Sequence, residues 1–212
     1  MGQIKSIKKI LKSIPTIEGN GVKLKRVFGQ PHTDLLDPFL LLDNFHSKNP
    51  DDYINGFPWH PHRGIETITY VLHGEVEHMD SMGNKGTINA GDIQWMTAGN
   101  GIIHQEMPKG QKDGLIQGFQ LWANLPASNK MMNPRYREIH AKQIPEIKLN
   151  NNVIIKNICG EINGVKGPVT DIIITPEYLD ITVPPKTQFT HKVKKGHNVF
   201  AYLINGSGYF HH

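Results

Sequence analysis

The 212-residue sequence has a single cysteine, Cys159. No internal disulfide can form, which suits a reducing compartment. It has no apolar run of the roughly 18 residues needed to cross a bilayer. Lys5, Lys8, Lys9 and Lys12 interrupt the apolar stretch that a secretory leader would need. The expected address is the cytoplasm, with the nucleus added in a eukaryote. Charge of one sign is also scarce. Lys and Arg number 23 against 19 Asp and Glu, a net +4 without long like-charged blocks, which argues against a nucleic-acid partner. The most basic stretch, Lys5 to Lys12, carries Ile4, Ile7, Ile10, Leu11 and Ile14 at a spacing that would line one helical face. We read it as a packed edge with solvated lysines rather than a membrane-binding helix.

Helical periodicity is sparse too, and one short candidate stands out, around Ala127 to Met132. Strand-like runs are abundant. Val22 to Phe28, Phe39 to Leu42, Glu66 to Leu72, Glu75 to Met79, Asp92 to Met96, Ile102 to Met107 and Ile116 to Leu125 alternate with Gly, Asn and Asp turns. Such spacing predicts an all-β barrel or sandwich. The polar stretch from Pro126 to Asn152 reads as a connection. Strands resume at Val153 to Cys159, Val169 to Thr175, Leu179 to Val183 and His197 to Ile204. The expected division is 1–126, a connecting segment 127–152, and 153–212. Tyr70-Val71-Leu72-His73-Gly74-Glu75-Val76 is echoed by Tyr202-Leu203-Ile204-Asn205-Gly206-Ser207-Gly208, which hints at two related units. Cys159 reads as a small core residue, not a nucleophile.

Two short motifs carry chemistry: His60-Pro61-His62 and His104-Gln105-Glu106. In a strand, residues i and i+2 face the same way, roughly 6.6–7 Å apart. Each motif therefore aims two ligating side chains into one space. Three imidazoles and a carboxylate suit a divalent transition ion such as iron, manganese, nickel, copper or zinc. A lone His-x-His is more often a surface pair, and Pro61 suggests that His60 starts its strand.

The flanking residues add to this. Gly56, His60, His62 and Glu66, followed by Gly91-Asp92, Gly99, Gly101 and His104, resemble the two cupin motifs. Thr97 stands where proline is usual, and the spacing from Gly99 to His104 is longer, departures that weaken the match of Glu66 to the carboxylate ligand. A narrower resemblance absorbs those departures. His60-Pro61-His62-Arg63-Gly64-Ile65-Glu66-Thr67, Gly91 to Gly99 and Gly101-Ile102-Ile103-His104-Gln105-Glu106-Met107-Pro108 resemble the pirin family. Asp37 to Asp43 and Gln120 to Pro126 match its other blocks.

The resemblance implies tandem cupin β-barrels (double-stranded β-helices), with the metal in the first. It implies His60, His62, His104 and Glu106 as ligands, iron as the usual metal, and Glu66 as a structural neighbour. It implies quercetin 2,3-dioxygenase activity on a flavonol and O2, releasing carbon monoxide. Glu106 would then double as the catalytic proton acceptor. Phe45 and Phe57 would wall the substrate, and Trp95 and Met96 would sit in the core. The alternative is a metal- or redox-dependent regulator that binds a transcription factor or metabolic enzyme. A sugar-binding or isomerising cupin fits the blocks less well. Pirins usually continue past the equivalent of Tyr209-Phe210, so the second barrel is expected to be incomplete, an open partial sheet prone to self-association. His191 and His197 are isolated, and His211-His212 are not expected to ligate metal.

Overall fold

The computed structural model describes residues 4–210. His211 and His212, set aside above as ligands, lie outside that range. Eleven strands come first: β1 Ile14–Glu18, β2 Val22–Phe28, β3 Phe39–Ser47, β4 Phe57–His62, β5 Ile65–His73, β6 Glu75–Asp80, β7 Lys85–Asn89, β8 Ile93–Thr97, β9 Ile102–Lys109, β10 Ile116–Asn124 and β11 Arg135–Ile139. They form a seven-stranded sheet in the order β1-β2-β3-β10-β5-β8-β11 and a four-stranded sheet in the order β4-β9-β6-β7. Then come β12 Glu146–Lys148, β13 Ile154–Cys159, β14 Glu161–Ile162, β15 Val165–Lys166 and β16 Tyr178–Thr182. Of these, β12, β13 and β16 make a separate small sheet.

Alternation along the strands builds two cores on opposite faces of the large sheet. Val71, Phe45 and Ile116 point inward between the two larger sheets, where they meet Val76 and Ile88 of the smaller one. Ile68, Tyr70, Trp95, Phe119 and Leu121 point the other way and pack on Ile158, Cys159 and Val169. Tyr70 Oη also donates to Asp180 Oδ2 at 2.8 Å, tying the large sheet to β16. With both faces covered, β8 is buried along its whole length, as doubly covered strands are. Trp95 and Met96 are both 0% exposed, as core residues, although they face opposite ways. Trp95→Ala should cost about 3–5 kcal/mol of stability. Denaturant melts of the two proteins would check this; a change below about 1 kcal/mol would contradict the packing.

Several expectations need correction. The strand pairings do not close a barrel: among the described residues the two larger sheets face one another as a sandwich, without a closing ladder. Their edges include β1, with Pro15, and β4, with Pro58 and Pro61, and proline cannot donate to a further ladder. The stretch after Pro126 is more than a connection, because β11 lies in it and pairs with β8. The helix expected at Ala127 to Met132 is a single 3-10 turn, Ala127–Asn129, too short to propagate and followed by Pro134. Residues 4–13 have no helical structure, and Ile4, Ile7 and Ile10 are exposed. Val169 to Thr175 contributes only an isolated bridge from Val169 to Cys159. His197 to Ile204 forms no strand. Instead Phe200 packs edge-on against Phe28 and Phe39, and Tyr202 against Phe119. The echo is therefore not structural: Tyr70 to Val76 spans the β5–β6 turn, while Tyr202 to Gly208 is irregular.

Candidate metal centre

His60 and His62 sit on β4, and His104 and Glu106 on β9, in adjacent antiparallel strands. His60 is paired directly with His104. The register slips between Phe57 and His60, where three residues of β4 span two of β9. Such a bulge re-aims side chains, and Pro58 within it has no N–H to lose. Strand β4 is an edge strand, so Pro61 is tolerated inside it, and the strand begins at Phe57 rather than at His60. Gly56 sets the approach. Its φ is +58°, and a Cβ there would lie 2.7 Å from Glu106 O and 2.8 Å from Met107 Sδ. Only glycine lets β4 come so close to β9.

This register gathers three imidazoles. A ligating nitrogen from each of His60, His62 and His104 lies within 4.8 Å of the others. Ring centroids are 4.4 Å apart for His60 and His104, and 4.9 Å for each of the other pairs. His60 Nδ1 is 2.8 Å from Pro58 O. That carbonyl can only accept, so Nδ1 carries the proton and Nε2 presents a bare lone pair. His60 Nε2 is 3.1 Å from His62 Nε2, close to the edge of about 2.9–3.4 Å between nitrogens that each sit about 2.05 Å from one ion. Burial pushes the His62 pKa down to about 4, helped by the His104 and His60 charges. Burial likewise lowers His104. Both rings are thus neutral near pH 7, the form that ligates. Both ring nitrogens of His104 are buried without a hydrogen-bond partner, a costly arrangement in a bare protein. An ion among the three rings would satisfy one of them. The residues present fit a metal.

Glu106 is 3% exposed and faces the same interior, but its carboxylate lies outside the set of ligating atoms within 4.8 Å of one another, which the three histidines alone make up. Its Oε1 accepts from Thr69 Oγ1 at 3.0 Å and Gln120 Nε2 at 3.3 Å, and its Oε2 from Gln120 Nε2 at 3.1 Å. Burial alone would raise its pKa. His104, Gln120, His60 and Thr69 together outweigh that and hold it below the ordinary carboxylate range. Trp122 closes one side, edge-on to His62 at 5.1 Å. A cavity of about 20 Å³ beside Glu106 is lined by Phe45, Phe57, Thr69 and Gln120, among others. It has room for about one water.

Glu66 faces away. It is one residue out of phase with Thr67 and Thr69 on β5, so it shares the face of Ile68 and Tyr70. It is 0% exposed, and Thr97 Oγ1 donates to its Oε1 at 2.7 Å. Thr69, Gln120 and Trp122 were not singled out from the sequence. Only the β5–β10 register, which pairs Thr69 with Gln120, brings them here. His78 was also passed over. It is buried opposite Glu106 in the β6–β9 ladder, and its Nε2 is hydrogen-bonded to the Tyr136 hydroxyl.

Comparisons with known proteins give the family. The pirin family model matches residues 21–123. A Pseudomonas aeruginosa protein, provisionally named a quercetin 2,3-dioxygenase, is 43% identical over 201 residues, covering 91% of this chain and 69% of that one. A pirin-like protein of Caulobacter vibrioides is 42% identical over 204 residues, covering 96% and 74%. The crystal structure of GK1651 from Geobacillus kaustophilus superposes with a TM-score of 0.74 at 36% identity, covering 86% of this chain and 70% of that one. With identity of this level over most of both chains, and with its histidine motifs brought to one point, the chain belongs to the pirin family.

Proposed function

We propose that this pirin binds one divalent transition ion, iron in the first instance, through His60, His62, His104 and Glu106. We further propose that it acts as a quercetin 2,3-dioxygenase-type enzyme. The observation that carries the metal reading is the convergence of three imidazoles, one with both ring nitrogens buried and unpartnered. Glu106 is the fourth ligand in this reading. Its Oε2 takes one hydrogen bond, so a lone pair remains for the ion. The dioxygenase reading draws on the family and on the name of the Pseudomonas relative.

When bound, the metal supplies Lewis acidity that lowers the pKa of a flavonol 3-hydroxyl. The chain's own residues do the rest. Glu106 is held ionised by its neighbours, and it takes the hydroxyl proton on Oε1, where the longer 3.3 Å contact from Gln120 Nε2 gives way to it. Thr69 and Gln120 keep that carboxylate aimed. His60 is the partly exposed member of the triad, so the site opens to solvent on its side. The 20 Å³ cavity is far too small for a flavonol, so the substrate enters from that open side or displaces Phe57, which is only partly buried.

Metal analysis of protein purified without affinity resin, then oxygen uptake over a flavonol panel, tests the proposal. Bleaching of quercetin by metal-free protein would remove the enzymatic reading. Tight, metal-sensitive capture of a protein partner with no oxygen uptake would replace it with the regulatory one. Thr69→Val should weaken the metal roughly 10–100-fold by freeing Glu106 from its hydroxyl donor. A chelator competition titration reads this directly, and an unchanged affinity would mean that Glu106 needs no such support.

A further inference from the structure

A second group of ligating side chains lies at the far end of the β8–β11 ladder. That ladder pairs Gln94 with Glu138 and Ile93 with Ile139, and one further step sets His140 against Asp92. Residues directly opposite share a face, as do residues i and i+2. Asp92, Gln94, Glu138 and His140 are therefore the corners of one square, on the face away from the Trp95 core. His140 Nδ1 is 3.4 Å from Asp92 Oδ2 and 3.8 Å from Glu138 Oε1. The three ligating atoms lie within 4.8 Å of one another.

The group is held in place and short of positive charge. Asp92 Oδ1 accepts from Ala141 N at 2.7 Å, and its Oδ2 from Asn89 N at 3.1 Å. Glu138 Oε2 accepts from the Tyr136 hydroxyl at 3.4 Å, leaving Oε1 toward His140. Among the described residues neither carboxylate pairs with a lysine or arginine, and both share the one imidazole. Asp92 keeps only 7% of its side chain exposed, so water screens it poorly. Independently of these three, Gln94 is 1% exposed, and its Oε1 is buried with no partner. The one unsatisfied atom here, Gln94 Oε1, is an acceptor, which is the demand a cation meets.

We infer that Asp92, Glu138 and His140, with the Gln94 amide oxygen, bind a second divalent cation distinct from that of the histidine cluster. Two carboxylates, an amide oxygen and one imidazole favour an oxygen-preferring first-row ion such as Mn2+. The exposed side of His140 leaves positions for water. Such an ion would clamp the end of β11 to the turn before β8, and so stabilise the folded chain by mass action.

Titration of the full chain with Mn2+, following the electron paramagnetic resonance of the free ion, tests this. The expected result is saturable binding that survives His104→Ala and weakens roughly tenfold or more in both Glu138→Gln and His140→Ala. His140 is about half exposed, so its alanine variant should fold even if Glu138→Gln does not. Mn2+ should also raise the melting temperature of wild type but not of His140→Ala. No saturable binding, binding lost in His104→Ala, or binding untouched by both other substitutions would overturn the inference. The His104→Ala arm separates it from the first metal reading.

Discussion

His104→Ala is expected to abolish metal binding at the histidine cluster, the first of the two sites proposed. His104 is 1% exposed, sits directly across the ladder from His60, and has no hydrogen bond on either ring nitrogen. Removing it leaves two imidazoles at the edge strand and Glu106 at a distance. Affinity should fall by more than about 10²-fold, beyond what the loss of a supporting residue costs. The bare fold should survive, because an unpartnered ring contributes little hydrogen bonding to lose. Glu66→Gln is the matched control. It changes a buried carboxylate on the opposite face of β5 and should keep most of the metal. Elemental analysis after identical purification decides between them. Full metal content in the alanine variant would refute the ligand assignment, and equal loss in both variants would point to general destabilisation.

Glu106→Gln should reduce quercetin turnover about 10²-fold or more if Glu106 accepts the substrate proton. The substitution keeps shape and can keep the Thr69 and Gln120 contacts, but it removes the negative charge and the basic oxygen. Two measurements are needed side by side. Metal content shows whether the site is still loaded, and oxygen uptake with carbon monoxide release shows whether it turns over. A loaded variant with low turnover supports proton acceptance. Loaded protein with wild-type turnover would leave Glu106 as a ligand at most. A wild-type protein that binds metal yet consumes no oxygen with any flavonol would shift the balance to regulation.

Much of the candidate metal centre was legible in the linear sequence, because the three gathered histidines and Glu106 come as two i, i+2 pairs. A strand turns such a pair onto one face whatever surrounds it. The strands of the first half were readable for the same reason: Val22–Phe28 has the expected bounds, and Glu75–Asp80 and Ile102–Lys109 are the expected runs slightly extended. Local pattern suffices where the ladder follows local pattern. It failed at His197 to Ile204, whose apolar, β-prone residues form no strand and instead seat Phe200 and Tyr202 against the first half. A strand needs a hydrogen-bonding neighbour, and composition does not say whether one is there.

Register belongs to the tertiary structure alone. Thr69 and Gln120 are 51 residues apart and reach Glu106 only because β5 and β10 are neighbours in that alignment. A slip of one residue would turn both away. Glu66 shows the same rule from the other side. Its motif places it four residues from His62, yet the phase of β5 points it into the core shared with Cys159 and Val169. Asp92, Gln94, Glu138 and His140 had no common signal in the sequence, since β8 and β11 are separated by two intervening strands along the chain. The sequence by itself therefore determined which short pairs share a face. Only the fold decided which faces meet, because hydrogen-bond register joins segments whose separation along the chain carries no information about their distance in space.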